Sequence, residues 1–300
     1  MQYQYNPCMP QVVIGVVLAF LSISVAVALV VRHAVNRLTQ PMRNLRGGTP
    51  ADYGLPYEAV SFSTPDGLTL RGWWIESEQR RGTLVFCHGH AGSKAPDLQY
   101  VPWLRSHGYS ALLFDFRAHG ESEGTRTSLV CHGRHDLLAA IAYLDQRGIH
   151  QVGLMGFSMG AAIAIATAPL TQAVRAVVAD SPFAELRTIV RVGIRNRGFP
   201  EIIAVPLTQL VLTSVAISTG CIPSDADPIR WVDGVSPRPL LLIHGGEDID
   251  VPASEAQRLY EKAHTPKELW IADRAAHRCV DQVCPEEYRS RVLEFLERWL

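Results

Sequence analysis

Two hydrophobic periodicities alternate along most of this chain. Short apolar runs rich in β-branched residues, at 60–63, 68–75, 84–87, 111–114, 152–157, 176–179, 240–243 and 269–271, predict about eight strands. Between most of them, residues 98–106, 134–146, 159–168, 254–263 and 286–300 carry helical patterns. Strands that are apolar throughout, separated by helices, predict an α/β fold with a mostly parallel sheet covered on both faces. The first two runs, joined by Pro65-Asp66-Gly67, read as an antiparallel hairpin at one edge.

Two segments fall outside the alternation. Residues 12–31 contain no charged residue and match the ~20 residues a helix needs to cross a bilayer. The tail before them, residues 1–11, carries no Lys or Arg, and the apolar run is longer than a signal-peptide core. The expectation is an uncleaved single-pass anchor rather than a cleaved signal. Arg32, Arg37, Arg43 and Arg46 follow the run and no basic residue precedes it, so the positive-inside rule puts the remainder of the chain on the cytoplasmic face. Residues 32–56, with Gly47-Gly48 and Pro50, read as a basic juxtamembrane segment and linker, and 57–300 as one catalytic domain. The second segment, 184–235, is a mostly helical insertion over 184–195 and 202–218. Its stretch 202–212 is too apolar for a free surface helix. It packs on the core, faces a substrate, or touches membrane.

Composition narrows the class. The chain has 300 residues, 47% of them hydrophobic, and a formal net charge of -1, which fits one sizeable domain. Without a basic block or a basic stripe interleaved with aromatics, nucleic acid is not an expected partner. The six cysteines fit no zinc spacing, and the chain has neither a phosphate-binding Gly-rich loop nor a dinucleotide fingerprint, so neither metal nor cofactor is expected. Cys279 and Cys284 are close enough in sequence to pair in an oxidising compartment, which would oppose the cytoplasmic reading.

The candidate chemistry centres on Gly156-Phe157-Ser158-Met159-Gly160, which follows an apolar strand and opens a small-residue helix. In that setting a serine sits at the apex of a strained turn, and flanking glycines let strand and helix pack closely. A hydroxyl is a poor nucleophile near neutral pH, so a histidine base and an orienting carboxylate are required. After the strand at 240–243, His244-Gly245-Gly246-Glu247-Asp248-Ile249-Asp250 offers three acids, Glu247, Asp248 and Asp250, beyond a strand's carboxyl end, where open α/β sheets carry their chemistry. His277 follows the last strand and stands third in the order Ser, acid, His. The turn His88-Gly89-His90-Ala91-Gly92-Ser93 follows the strand at 84–87, so the backbone N–H groups of His90 and Met159 are the candidate oxyanion donors. His88 reads as a structural residue beneath that turn.

These segments, with Asp115-Phe116-Arg117-Ala118-His119-Gly120-Glu121-Ser122, resemble the α/β-hydrolase superfamily over roughly residues 57–300. Within it the chain is most similar to the lysophospholipase, monoacylglycerol lipase and serine aminopeptidase-like branch. The resemblance implies Ser158 as nucleophile, Asp248 as acid, His277 as base, His90 and Met159 as the oxyanion hole, and a lid at the insertion. It departs from the family at Ala118, where glycine is frequent. The implied activity is hydrolysis of a carboxylic ester, with a lipid-like or acylglycerol substrate favoured by the anchor and the apolar insertion. A thioesterase or serine aminopeptidase would use the same groups. From a different class stands a membrane-tethered binding module that keeps the fold without turnover.

Overall fold

The structure is a computed structural model that describes residues 8–45 and 47–300. Most of the expected tail at 1–11, and Arg46, lie outside the described residues. In chain order the elements are α1 (Cys8–Thr39), β1 (Glu58–Ser63), β2 (Thr69–Ile75), β3 (Gly82–Cys87), α2 (Val101–Ser106), β4 (Tyr109–Phe114), α3 (Val130–Gln146), β5 (Val152–Phe157), α4 (Met159–Thr167), β6 (Val174–Asp180), α5 (Leu186–Arg195), α6 (Glu201–Thr219), β7 (Leu240–Gly245), α7 (Ala253–Lys262), β8 (Lys267–Ala272), α8 (Val280–Val283) and α9 (Pro285–Trp299). The eight strands form one sheet in the order β1-β2-β4-β3-β5-β6-β7-β8. The hairpin β1–β2 and the β2–β4 pair are antiparallel, and every other pair is parallel. This is the α/β-hydrolase architecture that the sequence predicts.

The apolar strands serve two cores at once. In β3, Leu84 and Phe86 belong to the core packed under α2 and α9, whereas Val85 and Cys87 join the core under α3 and α4. The period of two in side-chain direction, with apolar residues at every position, forces a helix layer onto each face. Element boundaries move where polar groups intervene. The expected helix at 98–106 is split into a 3₁₀ turn and α2, because Pro102 has no N–H to continue the ladder. The expected helix at 134–146 starts four residues earlier, at Val130, and Ser128 Oγ accepts from His132 N–H at 2.8 Å just before it.

The N-terminal region differs most from expectation. Helix α1 does not stop at residue 31 to release a linker; it continues to Thr39. Val31, Val35 and Thr39, one helical turn apart, are buried on one face while residues 12–30 are all exposed. After the helix, Arg43 donates to the carbonyls of Gly120, at 2.9 Å, and Gly124, at 2.7 Å, and also to that of Ser122. The basic segment that reads as juxtamembrane is thus docked on the body of the fold: Val31 and Val35, with Ala34 and Leu38 beside them at i, i+3 and i, i+4 spacing, give it an apolar face to bury.

The insertion is helical, as expected, and forms α5 and α6. Helix α6 packs one side on the core and leaves the other exposed. Ala204, Leu207, Val211 and Val215 are buried, while Ile202 and Ile217 on the other side are among the most exposed apolar residues. Cys279 and Cys284 are both free thiols, so the pairing considered from their spacing is not made.

Candidate active site

Strand β5 ends at Phe157 and α4 begins at Met159, leaving Ser158 alone to make the turn. Its φ of 52° and ψ of -114° lie outside the regions an L-residue ordinarily occupies. The Ser158 N–H is held by the Asp180 carbonyl at 2.8 Å. The flanking glycines are favoured by distance: a Cβ on Gly156 would stand 2.5 Å from the Gly160 carbonyl oxygen, and one on Gly160 would stand 1.8 Å from that of Cys87, so either would force the backbone to shift. The strained serine and the close approach of α4 to the end of β3 therefore come as one unit.

The acid and base arrive from β7 and β8. Asp248 lies in the turn after β7, with Oδ1 accepting the N–H groups of Asp250, at 3.0 Å, and Val251, at 2.8 Å. Its Oδ2 is 2.6 Å from His277 Nδ1, and His277 Nε2 is 2.9 Å from Ser158 Oγ. Glu247 and Asp250, the rival acids, are exposed and do not reach His277. Burial pushes the Asp248 carboxyl upward, yet the hydrogen bonds from His244 and His277 outweigh it and hold the group below the usual carboxylate range. An ionised Asp248 only accepts, so His277 Nδ1 carries the proton and Nε2 is free to accept from the serine hydroxyl. Ser158 and His277 are both part-exposed, as groups that must meet a substrate have to be.

The glycine-rich turn sits against the serine. A Cβ on Gly89 would lie 3.5 Å from Ser158 Cβ. The turn closes through Gly92 N–H to the Gly89 carbonyl, with Ala91 at a φ of 55°. Beneath it, His88 bonds Gly89 O through Nδ1 at 2.8 Å and accepts Phe116 N–H on Nε2 at 3.0 Å. Burial pulls its pKa down to about 4, which suits a neutral structural imidazole and not a base. Met159 opens α4, so its N–H has no intrahelical partner.

The loop Asp115 to Ser122 is scaffold for this turn. Asp115 accepts from Lys94 N at 2.8 Å, Lys94 Nζ at 2.6 Å and Glu121 N at 2.9 Å, tying the end of the turn to the next loop. Ala118 has a φ of 62°, which is why glycine suits that position. Sequence reasoning missed two supports. Arg278, beside the base, donates to buried Asp97 at 2.7 Å and lies 4.5 Å over the Phe157 ring. Burial pushes Asp97 up to about 6 despite that partner. The second is α1: His90 Nε2 bonds the Leu38 carbonyl at 3.0 Å. An arginine next to His277 was a signal in the sequence; nothing in the N-terminal segment pointed to the site.

With this geometry in place, the similarities to known proteins are informative. The profile of the α/β-hydrolase fold family matches residues 82–197. The YfhR protein of Salmonella typhi is 30% identical over 273 residues, 84% of each chain. A thiohydrolase of Aspergillus aculeatus, aneE, is 32% identical over 201 residues, 63% of this chain and 60% of that protein. Among solved structures, an esterase of Pyrococcus furiosus superposes with a TM-score of 0.74 at 31% identity, covering 87% of this chain and 98% of its own.

Proposed function

The chain belongs to the α/β-hydrolase family, and from that premise we propose that it is a serine hydrolase that cleaves a carboxylic ester through an acyl-enzyme on Ser158. The observation that carries the reading is the chain of contacts Ser158 Oγ to His277 Nε2 at 2.9 Å and His277 Nδ1 to Asp248 Oδ2 at 2.6 Å, on a serine held at a φ of 52°. Ser158 Oγ attacks the ester carbonyl carbon as its proton passes to His277 Nε2. Asp248 stabilises the imidazolium without taking the proton. The carbonyl oxygen becomes an oxyanion facing the N–H groups of His90 and Met159, each such donor supplying about 2.7 to 4 kcal/mol of transition-state stabilisation. Collapse of the intermediate breaks the C–O bond, and His277 returns the proton to the departing alcohol. Water then repeats the sequence on the acyl-enzyme and frees the acid and Ser158.

The substrate side is argued from surfaces. Residues 12–30 of α1 and the outer face of α6 expose apolar side chains, which supports a protein held at a bilayer acting on a lipid-like ester. With Arg32, Arg37 and Arg43 after the span, the catalytic domain is on the cytoplasmic side. The similarity to a thiohydrolase favours a thioester as the second reading, since the same attack and the same oxyanion serve it.

The test is labelling of the purified chain with a fluorophosphonate probe, wild type beside Ser158→Ala, followed by paired p-nitrophenyl esters and acyl thioesters. Labelling that disappears in the variant, with faster ester than thioester turnover, is expected. A folded wild type that neither labels nor turns over any ester would leave a binding module as the better account.

A further inference from the structure

The end of α1 is not only packed on the hydrolase body but in contact with the catalytic loop. A cleft of about 640 Å³ lies between α1, α5 and α6. Its walls include Ala34 and Leu38 of α1, Ile194 of α5 and Leu207 of α6, and it runs to His90 and Ala91, in the turn that abuts Ser158. That volume falls within the usual range for small-molecule sites, and its lining is largely apolar. Toward the other end it reaches Val30, where the wholly exposed apolar stretch of α1 begins. From Val30 to Leu38 the helix rises about 12 Å, room for an acyl chain of medium length. Of the exposed charged residues lining the cleft, Arg37 and Arg197 outnumber Asp250, a net positive balance that suits an anionic headgroup.

The second contact is polar. The carbonyls in the last turn of a helix have no intrahelical donor. In α1 two of them are met by the catalytic domain: Leu38 O by His90 Nε2 at 3.0 Å, and Thr39 O by Thr127 N–H at 2.8 Å. The residue whose backbone N–H is the candidate oxyanion donor thus uses its side chain to grip the helix end. The family profile covers only residues 82–197, so this arrangement lies outside what the profile describes.

From these contacts we infer that α1 is a working part of the active site: it forms one wall of the acyl-chain cleft and braces the oxyanion loop, and the cleft takes the chain of an ester lipid from the bilayer that holds the same helix. The inference rests on the serine-hydrolase reading and adds to it where the chain lies and by which route it enters. The bilayer is the inferred source because the cleft continues into the exposed apolar stretch of α1.

The test uses the full-length chain. Each methylene that leaves water for an apolar wall raises kcat/KM about fourfold, so the wild type prefers p-nitrophenyl decanoate to the acetate. Ala34→Trp fills the cleft from α1. Gly193→Leu fills it from α5, where an added Cβ meets only the Arg197 guanidinium at 3.4 Å. Both variants are expected to lower the decanoate-to-acetate ratio of kcat/KM at least tenfold. A ratio that falls in Gly193→Leu but not in a folded Ala34→Trp, or in neither, overturns the role of α1. The route is read with wild type in phosphatidylcholine–phosphatidylglycerol vesicles carrying a fluorogenic long-chain glycerolipid that does not exchange between vesicles. Hydrolysis is expected to be at least tenfold faster in the enzyme's own vesicles than in added enzyme-free ones, and equal rates overturn bilayer entry. Absence of any Ser158-dependent turnover of the acetate would instead strike the hydrolase reading, so the two failures are distinct.

Discussion

Gly160→Ala is the sharpest test of how the nucleophile turn and the oxyanion loop depend on each other. The added Cβ would stand 1.8 Å from Cys87 O and 2.7 Å from His88 O. Contacts under 3.0 Å are not tolerated, so α4 and the end of β3 must separate by at least about 1.2 Å. Both neighbours are backbone, and no side chain can rotate away to absorb the change. His88 and His90 lie on the segment that moves, so the His90 N–H, a proposed oxyanion donor, shifts relative to α4 and the Met159 N–H that opens it. A misplacement of about 1 Å typically costs a hundredfold in rate, and complete loss of one oxyanion donor about a hundred- to a thousandfold. Overpacking of this kind also destabilises by about 1–3 kcal/mol. The expected result is a folded variant with a lowered Tm whose kcat for p-nitrophenyl acetate falls roughly a hundredfold or more. Thermal denaturation by circular dichroism establishes folding, and initial rates at saturating ester give kcat. A folded Gly160→Ala with wild-type kcat would refute the coupling of the two loops.

Two further predictions concern stability. The buried His88 imidazole binds its proton only near 4, against 6.5 when unfolded, so the unfolded chain takes up the proton first as pH falls. Stability is then lost from 6.5 downward and levels off below 4, a change of about 3 kcal/mol from this one group. Urea unfolding over that interval should show a pH dependence about 3 kcal/mol smaller in His88→Gln, which cannot protonate; Asp97, whose raised pKa acts in the opposite sense, is common to both proteins and cancels. Equal slopes would show that His88 is not held neutral. Arg43→Ala removes the guanidinium that joins the segment after α1 to the carbonyls of Gly120, Ser122 and Gly124. Because Arg43 is exposed, the expected loss is discounted to about 2 kcal/mol. Arg43→Lys should recover only part of the lost Tm because an ammonium lacks the fork. An unchanged melting temperature in the alanine variant would mean that this segment is not docked.

The sheet was legible because its signal is local. Continuous apolar strands such as 84–87 and 152–157 between helical patterns leave little choice but a parallel sheet with two helix layers. The nucleophile turn was legible for the same reason: strand, serine and glycines occupy five consecutive residues. The acid was not. Glu247, Asp248 and Asp250 share one turn, and spacing alone does not separate them; Asp248 is selected because it turns inward, where His244, His277 and the N–H groups of Asp250 and Val251 meet it.

The N-terminal helix shows the opposite case. Its apolar run and its arginines are plain in the sequence, and an anchor followed by a linker is the simplest reading of them. That Val31, Val35 and Thr39 bury a face, and that Leu38 O meets His90, depends on residues more than fifty positions away. Sequence by itself determined the strand and helix alternation, the strained serine and the apolar character of α1 and α6, since each is set by neighbours along the chain. The tertiary structure decided which carboxylate faces His277, how α6 divides its faces, and that α1 ends against the glycine-rich turn at His90, because those contacts exist only after the sheet has brought distant loops to one edge.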